Sequence, residues 1–145
     1  MFGSEEIGLF GGFDYARAHA DELDKHIVGA ESDFGARKIW QFQTRFGEEH
    51  QDKGDAMARV LSRLGISRGD NNGSGGPDLG PIRRQGVPVV TLKQDGYDYF
   101  DFHHTPDDTF DKIDPEELAQ NVAAYAAFVW MASEMNIDFR GTDQE

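Results

Sequence analysis

The alternation of short apolar runs with amphipathic stretches constrains the fold of this chain most. Residues 27–30, 38–42 and 87–92 are apolar or β-branched and have the length of buried strands. Between them, residues 8–26 and 49–64 carry apolar side chains at intervals of three or four, which predicts helices. Strands that alternate with helices predict a layered α/β fold. The length of 145 residues fits one domain, or part of one, over residues 1–145.

The clearest local signal is the start of the last helix. Asp114 is a strong N-cap residue, Pro115 suits the first helical position, and Glu117 completes a capping-box pattern. We expect Trp40 and Trp130 to lie in the core. The side chains expected to form the buried face of this helix are Leu118, Val122, Tyr125, Ala126 and Val129.

The segments before this helix give weaker signals. A β-branched strand covers residues 87–92, and Pro88 places it at a sheet edge or marks the start of the strand. Residues 78–85 are expected to form a short helix, and residues 68–77 a polar surface loop. This loop contains the tripeptide Arg-Gly-Asp at residues 68–70, which we interpret as a coincidence of common residues rather than an adhesion motif.

Composition excludes several functions. The formal net charge of -13 argues against nucleic acid and against anionic membrane surfaces as partners. There are no cysteines, so any metal must be held by His, Asp or Glu. No apolar stretch is long enough for a transmembrane helix, and the start of the sequence does not have the pattern of a signal peptide.

Three clusters of potential metal ligands follow apolar segments: Glu5 with Glu6, Asp33, and His103 with His104. Sites in α/β folds gather at the carboxyl ends of strands, so these clusters can meet. Imidazole and carboxylate together suit zinc. Glu5 and Glu6 can face one site only if the backbone turns there, which the following glycines permit.

Each cluster also has an ordinary structural explanation. The two glutamates fit the first turn of a helix, where carboxylates meet the positive end of the helix dipole. Asp33 fits a turn, and His103 with His104 fits a surface pair. Residues 107–109 (Asp-Asp-Thr) fit a solvated loop. The histidines expected to be solvated are His19, His26 and His50.

Four segments, taken in order, resemble motifs of one known family. Residues 3–9 resemble the E-E-x-G segment of the co-catalytic zinc exopeptidases, aminopeptidase family twenty-eight of clan MH. Residues 31–35 are similar to the E-S-D-x-G segment of its plasma glutamate carboxypeptidase-like branch. Residues 76–78 with 86–89 are similar to that branch's G-x-D and G-V-P segments, and residues 99–109 to its closing Y-F-x-x-H-H-S/T-x-x-D-T segment. The resemblance implies the C-terminal part of a three-layer α/β/α zinc-peptidase domain with a mixed sheet.

The resemblance also implies a peptide substrate, two zinc ions and residue roles. Glu5 would be the general base, Glu6 and His104 would ligate one zinc ion, and Asp33 would ligate the other. The family's ligand directly precedes the Ser or Thr, which selects His104 over His103. The residues expected to support the ligands or contact substrate are His103, Asp108 and Asp78.

The family also uses an upstream His-x-Asp segment and an aspartate that bridges both metals, and these 145 residues contain no match to either. We therefore expect a C-terminal portion of an aminopeptidase or dipeptidase that binds metal weakly and hydrolyses little by itself. The longer relatives are expected to be secreted or periplasmic. Two alternatives are a non-catalytic binding domain on this fold and a single-zinc activity of the glutaminyl cyclase type.

Overall fold

The computed structural model describes residues 2–141, which form a four-stranded mixed sheet with helices on both faces. The strands are β1 (Gly29–Ala30), β2 (Ile39–Arg45), β3 (Ser67–Arg68) and β4 (Val89–Gln94). The helices are α1 (Phe10–Ala18), α2 (Gln51–Leu61), α3 (Gly80–Arg83), α4 (Tyr99–Phe102) and α5 (Pro115–Glu134). Turns of 3-10 helix span Ala20–Lys25, Glu48–His50, Ser62–Leu64 and Phe110–Lys112. The predicted α/β class with a mixed sheet is confirmed.

The sheet topology brings the carboxyl ends of β1 and β4 to the same edge. The strand order is β1-β4-β2-β3, with β1 and β4 parallel and β2 antiparallel to β4. Gly29 pairs with Val89, whereas Ile39 at the start of β2 pairs with Gln94 at the end of β4. Asp33 follows β1 and the two adjacent histidines follow β4, so both clusters leave the sheet on one side.

Buried side chains lie on both faces of the sheet. Val90 and Leu92 on β4 belong to a large cluster with residues of α2 and α5. Val89, the neighbour of Val90, points to the other face and packs with Ala16 and Ile82 from α1 and α3. Successive side chains of a strand alternate between the two faces of the sheet. The sheet is therefore the middle layer, with helices packed on each side.

The start of α5 agrees with the prediction, but its buried face differs. The Asp114 carboxylate accepts hydrogen bonds from the backbone N–H groups of Glu116 and Glu117. The side chains that α5 buries are Asn121, Ala124, Phe128 and Ala132. The prediction is therefore wrong for Val122, Val129 and Leu118, which are 62%, 59% and 39% exposed, whereas the predicted Tyr125 is partly buried against the core. The helix is apolar on most sides, and packing selects the side that carries Ala124, Phe128 and Ala132.

Both tryptophans are also exposed, contrary to the prediction. Trp40 is 48% exposed and Trp130 is 67% exposed. The register of β2 against β4 shifts between Ile39 and Gln41, so Trp40 is left without a partner in the ladder and lies outward, while Ile39 and Phe42 are buried in the same cluster. Trp130 lies on the outward side of α5, away from the buried Phe128.

Several predictions about local structure differ from what the structure shows. The segment predicted as one helix over residues 8–26 is α1 followed by the 3-10 turn Ala20–Lys25. Pro88 precedes β4 directly, so the strand-start alternative holds, while the edge alternative is wrong because β4 has a partner on each side. His26 is half-buried rather than solvated: its Nε2 lies 2.7 Å from the Tyr15 hydroxyl and its Nδ1 lies 2.9 Å from the Glu22 carbonyl oxygen.

Candidate metal centre

The centre of the site is a contact between the N-terminal segment and the segment that follows β4. Nε2 of His104 lies 2.7 Å from Oε1 of Glu6, across 98 residues of sequence. His104 has a left-handed backbone with φ of 60°. This conformation is uncommon and strained for a residue other than glycine, and such residues cluster at functional sites. The strained backbone carries the imidazole that meets Glu6.

His103 lies beside this pair. Its Nε2 is 4.0 Å from the same Glu6 oxygen, and its ring stacks on that of His104 with centroids 3.6 Å apart. Among residues 2–141, Glu6, His103 and His104 form a group whose ligand atoms all lie within 4.8 Å of one another. Geometry alone therefore admits His103 as a third donor, in addition to the role beside the ligands that the sequence predicts.

Glu5 is oriented by a turn. Its carbonyl oxygen accepts hydrogen bonds from the N–H groups of Gly8 and Leu9, and Gly8 has a φ of 135° that favours glycine. Partial burial, followed by the neighbouring Glu6 and Asp33 carboxylates, raises the pKa of Glu5. The turn predicted after the two glutamates is present.

Asp33 and Asp108 line the cavity that holds the Glu6–His104 pair. Its volume is about 480 Å³, and its wall also includes Phe34 and Tyr99. The aromatic rings of these two residues stack with centroids 4.0 Å apart. Burial, with the Asp33 and Glu6 carboxylates as further causes, raises the pKa of the Tyr99 phenol. Five of the predicted site residues therefore line one cavity: Glu6, Asp33, His103, His104 and Asp108.

Asp78 lies outside this cavity lining but close to the same carboxylates. Burial, followed by the charge of Asp33, raises its pKa. Its Oδ1 atom is buried and has no hydrogen-bond partner among the described residues. Gly12 of α1 permits this placement, because a Cβ atom there would lie 2.5 Å from the Asp78 carbonyl oxygen.

Glu31 is a site residue to which sequence reasoning gave no role. Its carboxylate accepts a hydrogen bond from the N–H of Leu79 at 3.3 Å and packs against Gly76. Burial raises the pKa of Glu31 to about 7, with the Asp78 and Asp33 carboxylates as further causes and the Leu79 N–H opposing the rise. Glu31 thus ties the loop that carries Asp78 to the end of β1.

The comparison with known proteins agrees with this geometry. The model of the family described as "Peptidase family M28" matches residues 1–129. The chain belongs to peptidase family M28. It is 26% identical to carboxypeptidase Q of Mus musculus over 136 residues and 27% identical to that of Homo sapiens over 135 residues.

A solved structure supports the same family. The crystal structure of a peptidase M28 precursor from Shewanella amazonensis SB2B is 48% identical in sequence, with a TM-score of 0.94 over 100% of this chain. The chain covers 33% of that structure's chain and 29% of mouse carboxypeptidase Q. It therefore spans about a third or less of the length of these M28 relatives.

The donors present in this M28 chain fit zinc. M28 peptidases are generally zinc-dependent. Glu6, His103 and His104 offer one carboxylate and two imidazoles, a donor set typical of zinc. Asp33 is outside this group of three, although it lines the same cavity.

Two other sequence motifs have structural explanations. Arg68 of the Arg-Gly-Asp tripeptide donates to Asp55 and to the Thr44 hydroxyl, and Asp70 accepts from the Gln43 amide. These contacts hold the loop against β2, as expected for a coincidental tripeptide. No helix among residues 2–141 has the length and hydrophobicity needed to cross a bilayer.

Proposed function

We propose that this chain provides part of the active site of a zinc metalloexopeptidase, an aminopeptidase or dipeptidase that hydrolyses a peptide bond. In this proposal Glu6 and His104 hold one zinc ion and Asp33 holds the other. Glu5 is the general base. The side chains proposed to support the ligands or contact substrate are His103, Asp108 and Asp78.

The observation that carries the proposal is the 2.7 Å contact between Glu6 and His104. Both side chains are more than half exposed, and an exposed pair of this kind contributes little to stability. The left-handed φ of 60° at His104 opposes folding, so stability does not explain the pair. A site that needs both donors explains it.

The chemistry divides between zinc and the protein. Bound zinc lowers the pKa of a water molecule to about 7 and polarises a carbonyl group. Glu5 accepts a proton from the water that attacks the carbonyl carbon and passes it to the nitrogen that leaves as the C–N bond breaks. Burial is the largest cause that raises the pKa of Glu5, and a general base works best when its pKa lies near the working pH.

Zinc calorimetry on the unmodified chain and on Glu6→Gln and His104→Ala tests the ligand assignment. We expect binding to weaken by at least ~10-fold in both variants, because even an outer partner of a metal ligand contributes about 10- to 100-fold. His19→Ala is the matched control, since His19 also contacts an exposed carboxylate, that of Glu22 at 2.9 Å. Equal affinity in His104→Ala and His19→Ala would overturn the assignment.

The role of Glu5 is tested separately by turnover of unblocked dipeptides. The assay uses a longer protein that contains these residues and hydrolyses unblocked dipeptides. In that protein Glu5→Gln should lower kcat by about 10²- to 10⁴-fold with unchanged zinc content, because the glutamine amide cannot carry the proton. Undiminished turnover in Glu5→Gln would exclude Glu5 as the base. His103→Ala distinguishes a third ligand, which lowers zinc affinity as much as His104→Ala, from a supporting residue.

A further inference from the structure

The proposed ligands Asp33 and His104 lie on two segments beyond the ends of β1 and β4. The strand ladder ends at Ala30 and Gln94, so the sheet does not fix the positions of these two side chains directly. Contacts outside the sheet must hold the two segments in register. The stacking of Phe34 on Tyr99 is one such contact, and the side chain of Arg37 makes the ionic ones.

The Arg37 guanidinium joins three segments of the chain. Its Nε donates to Oδ1 of Asp98 at 3.0 Å, and its Nη2 donates to the other oxygen of the same carboxylate. Its Nη1 donates to Glu117 on α5 at 3.1 Å. The planar fork of arginine matches such a two-oxygen contact, which fixes orientation as well as distance.

Asp98 is the N-cap residue of α4, the short helix that leads directly to His103 and His104. Its side chain does not cap that helix and instead binds Arg37. The hydrogen bond to Arg37 is the largest cause that lowers the pKa of Asp98. A tertiary contact thus replaces the usual local capping contact at the start of the segment that carries the histidines.

The main chain around Arg37 is also fixed by buried amides. The Asn121 side chain donates to the Arg37 carbonyl oxygen at 2.8 Å, and the Gln94 side chain donates to Gly35 at 2.7 Å. Asn121 and Gln94 are 4% and 7% exposed. The main chain at Arg37 is therefore held in place, and the guanidinium restricts the position of Asp98 at the start of α4.

We propose that Arg37 is a positioning residue that aligns the segment carrying Asp33 with the segment carrying His104. Its relevance to the metal centre rests on the proposed function, whereas its effect on alignment does not. Nothing in the sequence motifs marks this arginine, because its partners lie 61 and 80 residues further along the chain.

Hydrogen-exchange mass spectrometry on the chain with metal chelated tests the alignment. We expect the amides of residues 99–104 to exchange ~5-fold faster in Arg37→Ala and in Asp98→Asn, the factor that corresponds to losing a well-formed ion pair. Arg17→Ala is the matched control, because Arg17 pairs with Asp14 at an exposed site remote from α4 in sequence. Equal exchange in Arg37→Ala and Arg17→Ala would overturn the inference.

Two further variants separate positioning from general stability. If Arg37→Ala does not fold, hydrogen exchange in Asp98→Asn tests the positioning role, since this substitution keeps the shape of the side chain and removes its charge. Arg37→Lys should be intermediate, because lysine keeps the charge but not the two-oxygen fork. Arg37→Ala with Asp98→Asn should exchange no faster than Arg37→Ala alone, because Arg37→Ala already removes the contact with Asp98. Additive effects would contradict the proposal.

Zinc calorimetry then links the alignment to the metal centre. Arg37→Ala should weaken zinc binding by ~5-fold, as the loss of one ordering contact predicts. If the unmodified chain binds no zinc, the proposed function fails while the exchange result still decides the role of Arg37. If exchange rises but zinc affinity is unchanged, the link between Arg37 and the metal centre is refuted.

Discussion

The orientation of α5 yields a sharp test, because two adjacent residues should respond in opposite ways. Phe128 is 3% exposed and packs beside Phe42, with ring centroids 6.4 Å apart. Replacing a buried Phe by Ala typically costs about 3–5 kcal/mol. Val129 is 59% exposed. Truncating it loses less than half of the ~1.5 kcal/mol that full burial provides, and the better helix propensity of alanine offsets about 0.5 kcal/mol of that.

Urea unfolding followed by circular dichroism measures both variants. With a slope of about 1–3 kcal/mol per molar urea, Phe128→Ala should lower the midpoint by more than ~1 M. Val129→Ala should leave the midpoint almost unchanged. A loss in Val129→Ala equal to that in Phe128→Ala would refute the orientation and restore the face that the sequence pattern predicts.

Three further predictions concern residues around the candidate metal centre. The pKa of Glu31 is raised from 4.5 to about 7, so the folded chain binds this proton more tightly than the unfolded chain. Glu31 should therefore make the free energy of unfolding fall as pH rises from about 4.5 to about 7 with metal chelated, and Glu31→Gln should make this fall smaller in urea titrations. An equal fall in Glu31→Gln would refute the raised pKa of Glu31. Gly12→Ala should destabilise by about 1–3 kcal/mol in thermal unfolding, because its Cβ meets the Asp78 carbonyl; a gain of ~1 kcal/mol, the helix-propensity effect, would contradict this close approach. Asp114→Ala should cost about 1 kcal/mol through loss of the N-cap, and an unchanged urea midpoint would show that the cap does not contribute.

Local signals predicted structure well where the cause is local. The start of α5 follows from Asp114 and Pro115, since N-capping involves only neighbouring residues, whereas the Glu117 carboxylate binds Arg37 rather than completing the expected capping box. The meeting of Glu6 with His104 was predicted through the resemblance, because motif order carries information about contacts across 98 residues. Neither inference depended on how the helices pack.

Predictions that depended on packing were less successful. Val122 and Val129 have a helical spacing that suits a buried face, yet α5 buries Ala124, Phe128 and Ala132, because packing against the sheet selects the buried side of a helix that is apolar on most sides. Trp40 is outward because the register of β2 against β4 shifts at this residue, which no sequence pattern indicates. Arg37 had no recognisable motif, since its role appears only when Asp98 and Glu117 are brought to it.

The parallel pair of β1 and β4 has a consequence for how the chain folds. Gly29 pairs with Val89, so this ladder at one edge of the sheet forms only after a long loop of chain has closed, at an entropic cost that local helices do not have. Folding rates fall as contacts become more distant in sequence. The Glu6–His104 contact spans still more of the chain and can form only on the completed sheet. Metal affinity should therefore appear as the last event of refolding, later than the helical signal of α2 and α5.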